Sequence, residues 1–335
     1  MPENPELKDK IRQCNEMIVS SKTISISTHI NPDGDAIGSA LALYYYLKSK
    51  GKEVKIINPS ETAYNLLFLT GAEDIIVYSP ECDEYLDSCD TNIIVDLNDI
   101  DRLKELGIKI LKTSSKKIVI DHHLDPKPFA DLYVIDTESC SAGEIVYRII
   151  NEDKNYQISK EIASALYVAI MTDTGSFRFP RTTGEVHRII GAMIDAGADP
   201  VEIYDQVYNK VPLRAMRLLG EGLSGIETFN DGRLGVVTIK NSMLDRCRAK
   251  AEDVEDFVEK ILSIDGIKVG ILITEEIEKD QIRISFRSKG EYGIRDLAVS
   301  MGGGGHYYAA GARVDLVNID LLKNSIVEKA SKLFI

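Results

Sequence analysis

The stretch that decides the fold of the first half of the chain is Thr28-His29-Ile30-Asn31-Pro32-Asp33-Gly34-Asp35. The residues that lead into it, 23–28, are rich in Thr, Ile and Ser and predict a strand. The residues that follow, 35–49, are rich in Ala, Leu and Tyr at helical spacing and predict a helix. Pro32 and Gly34 force a tight turn between the two. Acidic side chains therefore lie where a strand passes into a helix.

Strand-like and helix-like segments alternate around this turn up to about residue 196. The predicted strands are residues 23–28, 53–57, 92–96, 117–121 and 132–135, and the predicted helices are residues 6–19, 35–49, 141–151 and 159–171. Alternation of this kind is typical of parallel strands that are joined by crossover helices. We therefore predict an α/β fold with a doubly wound, mostly parallel sheet.

The pattern changes after three successive helical stretches, at residues 184–196, 200–208 and 212–223. Asn230-Asp231-Gly232 then predicts the turn of a β-hairpin. The remaining predicted elements are strands at 225–229, 234–239, 268–274 and 281–286, and helices at 254–262, 296–300 and 319–333. We predict a first, metal-binding domain at residues 1–195, a helical linker at 196–221, and a second, smaller α+β domain at 222–335.

The composition excludes several classes of protein. The 335 residues include 40 Lys and Arg against 53 Asp and Glu, a formal net charge of −13, which argues against a protein that coats long duplex nucleic acid. No apolar run approaches the roughly 18–20 residues of a membrane helix. The five cysteines are scattered without a C-x-x-C pair, and the N-terminus lacks the pattern of a signal peptide. We expect a cytoplasmic protein that does not bind a membrane.

Aspartate and histidine residues follow three of the predicted strands at their carboxyl ends, and one more aspartate follows a helix. These residues are His29, Asp33, Asp35, Asp96, Asp121, His122, His123 and Asp173. The carboxyl ends of parallel strands share one edge of the sheet, where ligands bind. Carboxylates crowded there would repel one another unless a divalent cation neutralised them. Aspartate oxygens with imidazole nitrogens suit Mn²⁺, Mg²⁺, Fe²⁺ or Co²⁺. There are enough ligands for two ions, as in two-metal phosphoryl transfer.

The second half carries a glycine-rich run that suits an anion. Met301-Gly-Gly-Gly-Gly305-His306 precedes Ala309-Ala-Gly311. Glycines let backbone N–H groups approach a phosphate closely, and Arg287 at the end of a predicted strand can deliver a planar guanidinium. The predicted substrate-binding residues are Arg287, Ser288, Gly302, Gly303, Gly304, Gly305 and His306.

Each of these residues also has a plainer interpretation. A single Asp at a strand end often caps a helix, and a glycine run alone often forms a flexible turn. The combination is harder to dismiss because four of the five histidines lie inside these motifs. The fifth, His187, lies on a predicted amphipathic helix, where a structural role or help in holding an anion is expected.

Taken together, the motifs resemble those of the DHH phosphoesterase superfamily. The matches are T-H-I-N-P-D-G-D at 28–35, V-D at 95–96, D-H-H at 121–123 and T-D-T-G at 172–175. F-R-S-K-G at 286–290 and G-G-G-G-H-Y-Y-A-A-G at 302–311 resemble the DHH-associated C-terminal domain. The resemblance covers nearly the whole chain. Size and layout are most similar to the bacterial nanoRNase and 3′-phosphoadenosine 5′-phosphate (PAP) phosphatase group.

The resemblance implies a role for each matching residue. It implies one ion on His29, Asp33 and Asp96, and a second on Asp35, Asp96, His122 and Asp173. His123 then faces the scissile phosphate, while Asp121 is interpreted as orienting a histidine. Arg287 and the loop from Gly302 to His306 are implied to hold the other phosphate or the base of a nucleotide, across the cleft between the domains.

The implied function is a manganese-dependent phosphoesterase with two ions, for which Mg²⁺ or Co²⁺ could substitute. Its expected substrates are short oligonucleotides, cut as a 3′–5′ nanoRNase, and nucleoside 3′,5′-bisphosphate. The alternatives within the superfamily are a phosphodiesterase for linear dinucleotides from cyclic dinucleotide signalling and an inorganic pyrophosphatase. A catalytically silent nucleotide-binding regulator is the alternative outside enzymes. The sequence leaves open whether the chain forms a homodimer.

Overall fold

The computed structural model describes residues 5–254, 257–305 and 307–334. The chain divides into two compact units, Met1–Lys210 and Val211–Ile335. The boundary between the two units, after residue 210, falls inside the predicted linker. The predicted limits at residues 195 and 222 remain predictions about where the functional domains end.

The first unit contains six strands and eight α-helices within the described residues. They are α1 (Pro5–Ser20), β1 (Thr23–Ser27), α2 (Gly34–Ser49), β2 (Glu53–Asn58), β3 (Ile76–Val77), α3 (Asp83–Ser88), β4 (Thr91–Val95), α4 (Glu105–Lys112), β5 (Lys116–Asp121), β6 (Leu132–Ile135), α5 (Ala142–Asn151), α6 (Lys160–Asp173), α7 (Gly184–Asp195) and α8 (Pro200–Tyr208). The sheet has the order β3-β2-β1-β4-β5-β6, and every neighbouring pair is parallel. The predicted α/β class is confirmed.

The strand order reverses at β1, and this reversal places the site. β1 pairs with β2 on one side and with β4 on the other, so the connections leave in opposite directions. A crevice opens at such a switch point, outside the carboxyl ends of the strands. Apolar residues from helices and strands cover both faces behind it, with Ile24 and Ile26 in one core cluster and Ile94 in the other, and all three are fully buried. The core thus leaves the carboxyl edge free for polar side chains.

Helix α2 lies deep in the first unit because it packs directly on α6. Gly38 permits this close approach: a Cβ built at this position would lie 2.3 Å from the carbonyl oxygen of Ala165 on α6. The backbone of one helix therefore touches the backbone of the other. This contact fixes α2, whose first turn carries Asp35.

We expect Gly38→Ala to lower the free energy of unfolding by about 1–3 kcal/mol, because an added methyl group must push α2 and α6 apart. Gly191→Ala on α7 is the matched control, since a Cβ there meets no atom within 4 Å outside its own helix turn. The control should gain about 0.5–1 kcal/mol from reduced backbone entropy in the unfolded chain. Urea denaturation measures both changes, and equal effects of the two substitutions would contradict the packing argument.

The second unit is a mixed sheet covered by helices on both faces. Its described elements are α9 (Leu213–Ser224), β7 (Glu227–Phe229), β8 (Leu234–Ile239), α10 (Asn241–Cys247), α11 (Phe257–Leu262), β9 (Val269–Glu276), β10 (Gln281–Ser288), α12 (Arg295–Val299), β11 (Gly304–Gly305), β12 (Ala309–Asp315) and α13 (Ile319–Ser331). The order is β11-β12-β10-β9-β8-β7, antiparallel except for the parallel pair β8 and β9. This is the predicted α+β arrangement.

The predicted elements agree with the structure except at short or glycine-rich segments. The sequence patterns missed β3, α3, α4, α10, β11 and β12, and they missed the 3₁₀ turns at Tyr64–Leu66, Ala72–Asp74, Pro80–Cys82, Ile100–Leu103 and Ile277–Lys279. The predicted helix at 254–262 is a 3₁₀ turn at Ala251–Val254 followed by α11, and residues 255–256 lie outside the described residues. Within the described chain, no helix is long and apolar enough to span a membrane.

Candidate metal centre

A first group of metal-ligating side chains lies at the switch point between β1 and β4. His29 follows β1, and its Nδ1 donates to the carbonyl oxygen of Ile30 at 2.9 Å. This leaves Nε2 facing Asp96, whose Oδ2 is 3.3 Å away, and Asp33, whose Oδ2 is 4.0 Å away. One ligand atom from each of His29, Asp33 and Asp96 lies within 4.8 Å of the others. Asp33 also begins α2, because its Oδ1 accepts from the backbone N–H of Ala36 at 3.1 Å.

Asp96 joins this group to the histidines that follow β5. Its backbone has φ 58°, a left-handed conformation that Asp adopts more readily than most residues. This turn ends β4 and leaves the carboxylate buried between three imidazole rings. Oδ1 of Asp96 is 3.6 Å from Nε2 of His122 and 3.5 Å from Nδ1 of His123.

A second group forms where α2 and α6 meet β5. Nε2 of His122 lies 3.3 Å from Oδ2 of Asp173, the last residue of α6, and 3.8 Å from Oδ2 of Asp35 in the first turn of α2. Ligand atoms of these three residues again lie within 4.8 Å of one another. The structure therefore brings all six residues predicted to ligate metal into two adjacent groups.

Helix α5 holds the carboxylate of Asp35 in place. The backbone N–H groups of Ala142 and Gly143, at the start of α5, donate to Oδ2 and Oδ1 of Asp35 at 2.7 and 2.9 Å. The hydroxyl of Ser39 donates to Oδ1 at 3.0 Å. The partial positive charge at the N-terminus of a helix stabilises this buried anion. Sequence analysis missed these positioning groups, although Ser141 and Glu144 form the S-x-x-E pattern that marks the start of α5.

Asp121 and His123 form a third group with Asp96 and His122, since one ligand atom from each of the four lies within 4.8 Å of the others. Nδ1 of His123 lies 2.7 Å from Oδ1 of Asp121. Asp121 is fully buried at the end of β5, whereas the His123 side chain is partly exposed. A buried carboxylate of this kind fixes the orientation of the imidazole ring.

Crowding of carboxylates shifts the pKa values of the buried groups in the site. Burial, together with Asp96 and Asp173, raises the pKa of Asp35 well above its usual value. Burial and the neighbouring carboxylates also raise the pKa of Asp173 to about 7. Burial alone would lower the pKa of His122, but Asp96, Asp173 and Asp35 raise it to about 10. Protein groups alone therefore satisfy this cluster only by retaining extra protons.

Attraction between His29 and Asp96 shifts the pKa of each group towards its charged form. Burial alone would raise the pKa of Asp96, but His122 and His29 hold it below its usual value. Burial alone would lower the pKa of His29, but Asp96 and Asp33 raise it, while the nearby Arg102 lowers it. Arg102 is a half-buried cation beside the site that the sequence analysis did not single out.

These residues fit divalent cations. Four aspartates and two histidines offer hard oxygen and imidazole nitrogen ligands, the donors that Mn²⁺, Mg²⁺ and related ions prefer. Among the described residues, the buried Oδ1 of Asp96 has no hydrogen-bond partner. Burial of a carboxylate oxygen without a partner costs free energy, and a bound cation would remove that cost. Cations would also replace the extra protons of the cluster.

The predicted substrate-binding residues of the second unit lie around one end of β10. Arg287 donates from Nε to Oε1 of Glu259 on α11 at 2.8 Å and from Nη1 to the carbonyl of Phe286 at 3.1 Å. Its guanidinium is therefore already held by an acidic partner. Ser288 is buried, and its backbone N–H donates to the carbonyl of Tyr308.

The glycine run forms the edge of the sheet. Gly304 and Gly305 form β11 and pair with Gly311 and Ala310 of β12. A Cβ at Gly303 would lie 2.1 Å from the carbonyl oxygen of Gly311, so only glycine allows this approach. Gly302 and Gly305 have φ 76° and 138°, conformations that glycine adopts without strain. His306 lies outside the described residues.

A groove of about 410 Å³ runs beside this edge. Gly302, Gly303 and Gly304 line it together with Arg283 of β10 and Arg313 of β12, which are opposite one another in the strand register. The sequence analysis missed these two arginines. The alternation of buried and part-exposed residues along β10 could have indicated that Arg283 shares a face with Arg287.

Comparison with known proteins places this site in a family. A model of the N-terminal domain of the DHH family matches residues 23–170, and a model of the DHHA1 domain matches residues 240–332. The bifunctional oligoribonuclease and PAP phosphatase NrnA of Thermus thermophilus is 30% identical over 329 residues, 97% of this chain and 94% of that protein. The chain belongs to the DHH family. The resemblance inferred from the sequence motifs is thereby confirmed.

Three further comparisons agree with this family or with its fold. NrnA of Bacillus subtilis is 29% identical over 294 residues, 87% of this chain and 89% of that protein. An exopolyphosphatase-related protein from Bacteroides fragilis has the same fold with a TM-score of 0.91 at 30% identity, covering 97% of this chain and 98% of that chain. The manganese complex of RecJ from Thermus thermophilus, at 14% identity and a TM-score of 0.58, shares the fold alone over 97% of this chain and 55% of that chain.

Proposed function

We propose that this DHH protein is a two-metal phosphoesterase that hydrolyses short oligoribonucleotides and PAP. The observation that carries the proposal is the pair of adjacent ligand groups at the switch point, joined around Asp96. The names of the NrnA relatives support the substrates, since those proteins are called oligoribonuclease and PAP phosphatase. Both substrates are small nucleotides whose hydrolysis breaks a phosphate ester bond.

We assign the ligands of two ions, preferably Mn²⁺, with Mg²⁺ or Co²⁺ as substitutes. His29, Asp33 and Asp96 would hold one ion, and Asp35, Asp96, His122 and Asp173 would hold the other. When bound, such a pair stabilises the attacking and leaving oxygens of an in-line phosphoryl displacement. The chain contributes rigidity, because α5 holds Asp35 and the turn at Asp96 is buried.

His123 is proposed to contact the scissile phosphate. Its Nδ1 lies 2.7 Å from Oδ1 of Asp121, and this contact fixes the ring in one orientation. In the imidazolium form, which carries a proton on each ring nitrogen, the N–H that does not face Asp121 can donate a hydrogen bond to a non-bridging phosphate oxygen as negative charge develops on it. Asp121 is a positioning residue in this scheme, since it acts only through the ring of His123.

The proposal divides the tasks between the two units. The first supplies the chemistry, and the second recognises the substrate through Arg287, Ser288 and the loop from Gly302 to His306. Arg287 is part-buried and held by Glu259, so its position is defined before a ligand arrives. A guanidinium held in this way suits a phosphate group, because its fork of donors needs little further ordering.

We expect Arg287→Ala to raise KM for a dinucleotide roughly 10- to 100-fold, the loss of one charged hydrogen bond of about 1.5–3 kcal/mol, with little change in kcat. The bound metal content should remain that of the native protein. Arg246→Ala is the matched control, because Arg246 lies in the same unit and pairs with Glu221 at the surface. Loss of metal from Arg287→Ala with an unchanged KM would contradict the division of tasks.

Substrate length tests the proposed function. A long single strand needs an electropositive channel with stacking surfaces, whereas this chain carries a net charge of −13 and no tryptophan. We expect kcat/KM to be highest for a dinucleotide and PAP and to fall along a ladder of longer oligoribonucleotides at fixed salt. The same assay should include a linear guanosine dinucleotide and pyrophosphate. A rise in kcat/KM well beyond the first few nucleotides, or a preference for pyrophosphate, would refute the proposal.

A further inference from the structure

Two exposed tyrosines follow directly on the glycine-rich run. The exposed fractions of Tyr307 and Tyr308 are 54% and 41%, and their rings meet edge to face with centroids 4.7 Å apart. Within the described residues of the second unit, they are the only aromatic side chains among the large exposed hydrophobic residues. Burial in the core therefore does not account for either ring.

The backbone and one hydroxyl hold this pair firmly although the rings are exposed. The hydroxyl of Tyr307 donates to the carbonyl of Glu291 at 3.1 Å, and the carbonyl of Tyr307 accepts from the N–H of Ile294 at 2.9 Å. Its ring also packs on Gly293, where a Cβ would lie 2.5 Å from it. A ring that is already fixed loses little conformational entropy when a ligand binds to it.

Tyr308 is the member of the pair that is free to contact a ligand. Its carbonyl accepts from the N–H of Ser288 at 3.0 Å, which fixes its backbone. Its side chain makes no hydrogen bond to another described residue, and its ring meets that of Tyr307 at an interplanar angle of 83°. The hydroxyl of Tyr307 is therefore hydrogen-bonded, whereas the ring of Tyr308 contacts Tyr307 and is otherwise partly exposed.

The position of Tyr308 and the proposed substrates indicate what it binds. Tyr308 directly precedes Ala309, the first residue of β12, and follows the glycine run that ends at Gly305. The face of a tyrosine ring suits a flat heteroaromatic group. The bases of the proposed nucleotide substrates are such groups, and proteins bind bases by stacking them on aromatic side chains.

We propose that Tyr308 stacks on a nucleobase of the substrate and that Tyr307 positions it. This inference rests on the proposed function and adds to it a specific contact with the base, whereas the metal centre and Arg287 act on phosphate. Every base offers a π-face, so the contact favours nucleotides over other phosphate esters without selecting one sequence. Substrates that lack a base should lose this part of the binding.

Equilibrium binding of adenosine 5′-monophosphate and of ribose 5-phosphate tests the contact without turnover. We expect Tyr308→Leu to weaken binding of the adenosine compound roughly 5- to 100-fold, while Tyr308→Phe binds it like the native protein. Binding of ribose 5-phosphate should be the same in all three proteins. Tyr204→Leu is the matched control, since Tyr204 is an exposed tyrosine of the first unit.

The absence of tryptophan from the chain allows a direct optical test. Tyr308→Trp introduces a single tryptophan, whose fluorescence should be quenched saturably by adenosine 5′-monophosphate and not by ribose 5-phosphate. Equal affinities of native protein and Tyr308→Leu for the adenosine compound, or equal losses for both ligands, would overturn the proposal. The proposal would also be overturned if Tyr308→Leu changed the oligomeric state of the protein and left its affinity for the adenosine compound unchanged. The two tyrosines would then form a contact between copies of the chain.

Dinucleotide hydrolysis by the native protein separates this inference from the proposed function. An active native enzyme whose Tyr308→Leu variant binds the adenosine compound normally refutes stacking alone. A native protein that binds the adenosine compound through Tyr308 and hydrolyses no phosphate ester refutes the proposed function and leaves a nucleotide-binding surface.

Discussion

Asp96→Asn is expected to lower kcat/KM for a dinucleotide by roughly 10³-fold or more, because several kcal/mol of transition-state stabilisation depend on both ions. Asp96 belongs to the group with His29 and Asp33 and also contacts His122. Loss of its charge therefore disturbs two metal positions at once. No other proposed ligand lies in both, so Asp96 should be the most damaging single replacement in the site.

The matched control for this variant is Asp101→Asn. Asp101 follows the same strand, but its side chain is exposed and pairs with Lys127 at the surface. The control should keep native activity and native metal content. Native turnover by Asp96→Asn, measured with the metal content of each variant, would contradict the assignment of the bridging ligand.

His123→Ala is expected to lower kcat by about 10²–10³-fold with a small change in KM, the loss that follows removal of one donor to a developing negative charge. Asp121→Asn should lower kcat by about 10–100-fold, since it leaves the ring in place but weakens its orientation. The metal content of both variants should be native, because neither residue is assigned as a ligand. Steady-state kinetics and metal analysis measure these effects together.

His187→Ala is the control for His123→Ala. His187 is exposed on α7, where its ring lies 5.8 Å from that of Phe177, and it does not belong to either ligand group. We expect native kcat from this control. A double variant of Asp121→Asn and His123→Ala should be no slower than His123→Ala alone if Asp121 acts only through the ring, and a further large loss would refute the positioning role.

The α/β class and the identity of the clustered residues could be predicted because both depend on local patterns. The β-branched run at 23–28 and the turn with Pro32 and Gly34 specify a strand that passes into a helix. Parallel strands then bring their carboxyl ends to one edge, whatever the details of packing. His29, Asp96 and His122 come from separate strands, so that their meeting follows from topology alone.

The positioning of these side chains could not be predicted because it depends on tertiary contacts. The donors to Asp35 come from Ala142 and Gly143, more than one hundred positions along the chain. The left-handed turn at Asp96 has no sequence pattern of its own. The partner of Arg287, Glu259, lies on a six-residue helix that packs across the sheet.

Short and glycine-rich segments were also beyond the sequence patterns. β11 contains only Gly304 and Gly305, residues that normally indicate a loop, and it exists because β12 offers backbone partners. β12 itself begins with Ala309-Ala310-Gly311, which has low strand propensity. Pairing with β10 along seven positions overrides that propensity.

Removal and return of metal tests the central claim of a two-metal phosphoesterase most directly. The protein is stripped with a strong chelator, dialysed, and titrated with Mn²⁺ while dinucleotide hydrolysis and bound ions per chain are measured, with Asp96→Asn in parallel. We expect no turnover in chelator, recovery that is complete as two ions bind per chain, and no recovery in Asp96→Asn. Full turnover by the stripped protein, or full recovery of Asp96→Asn, would contradict the claim.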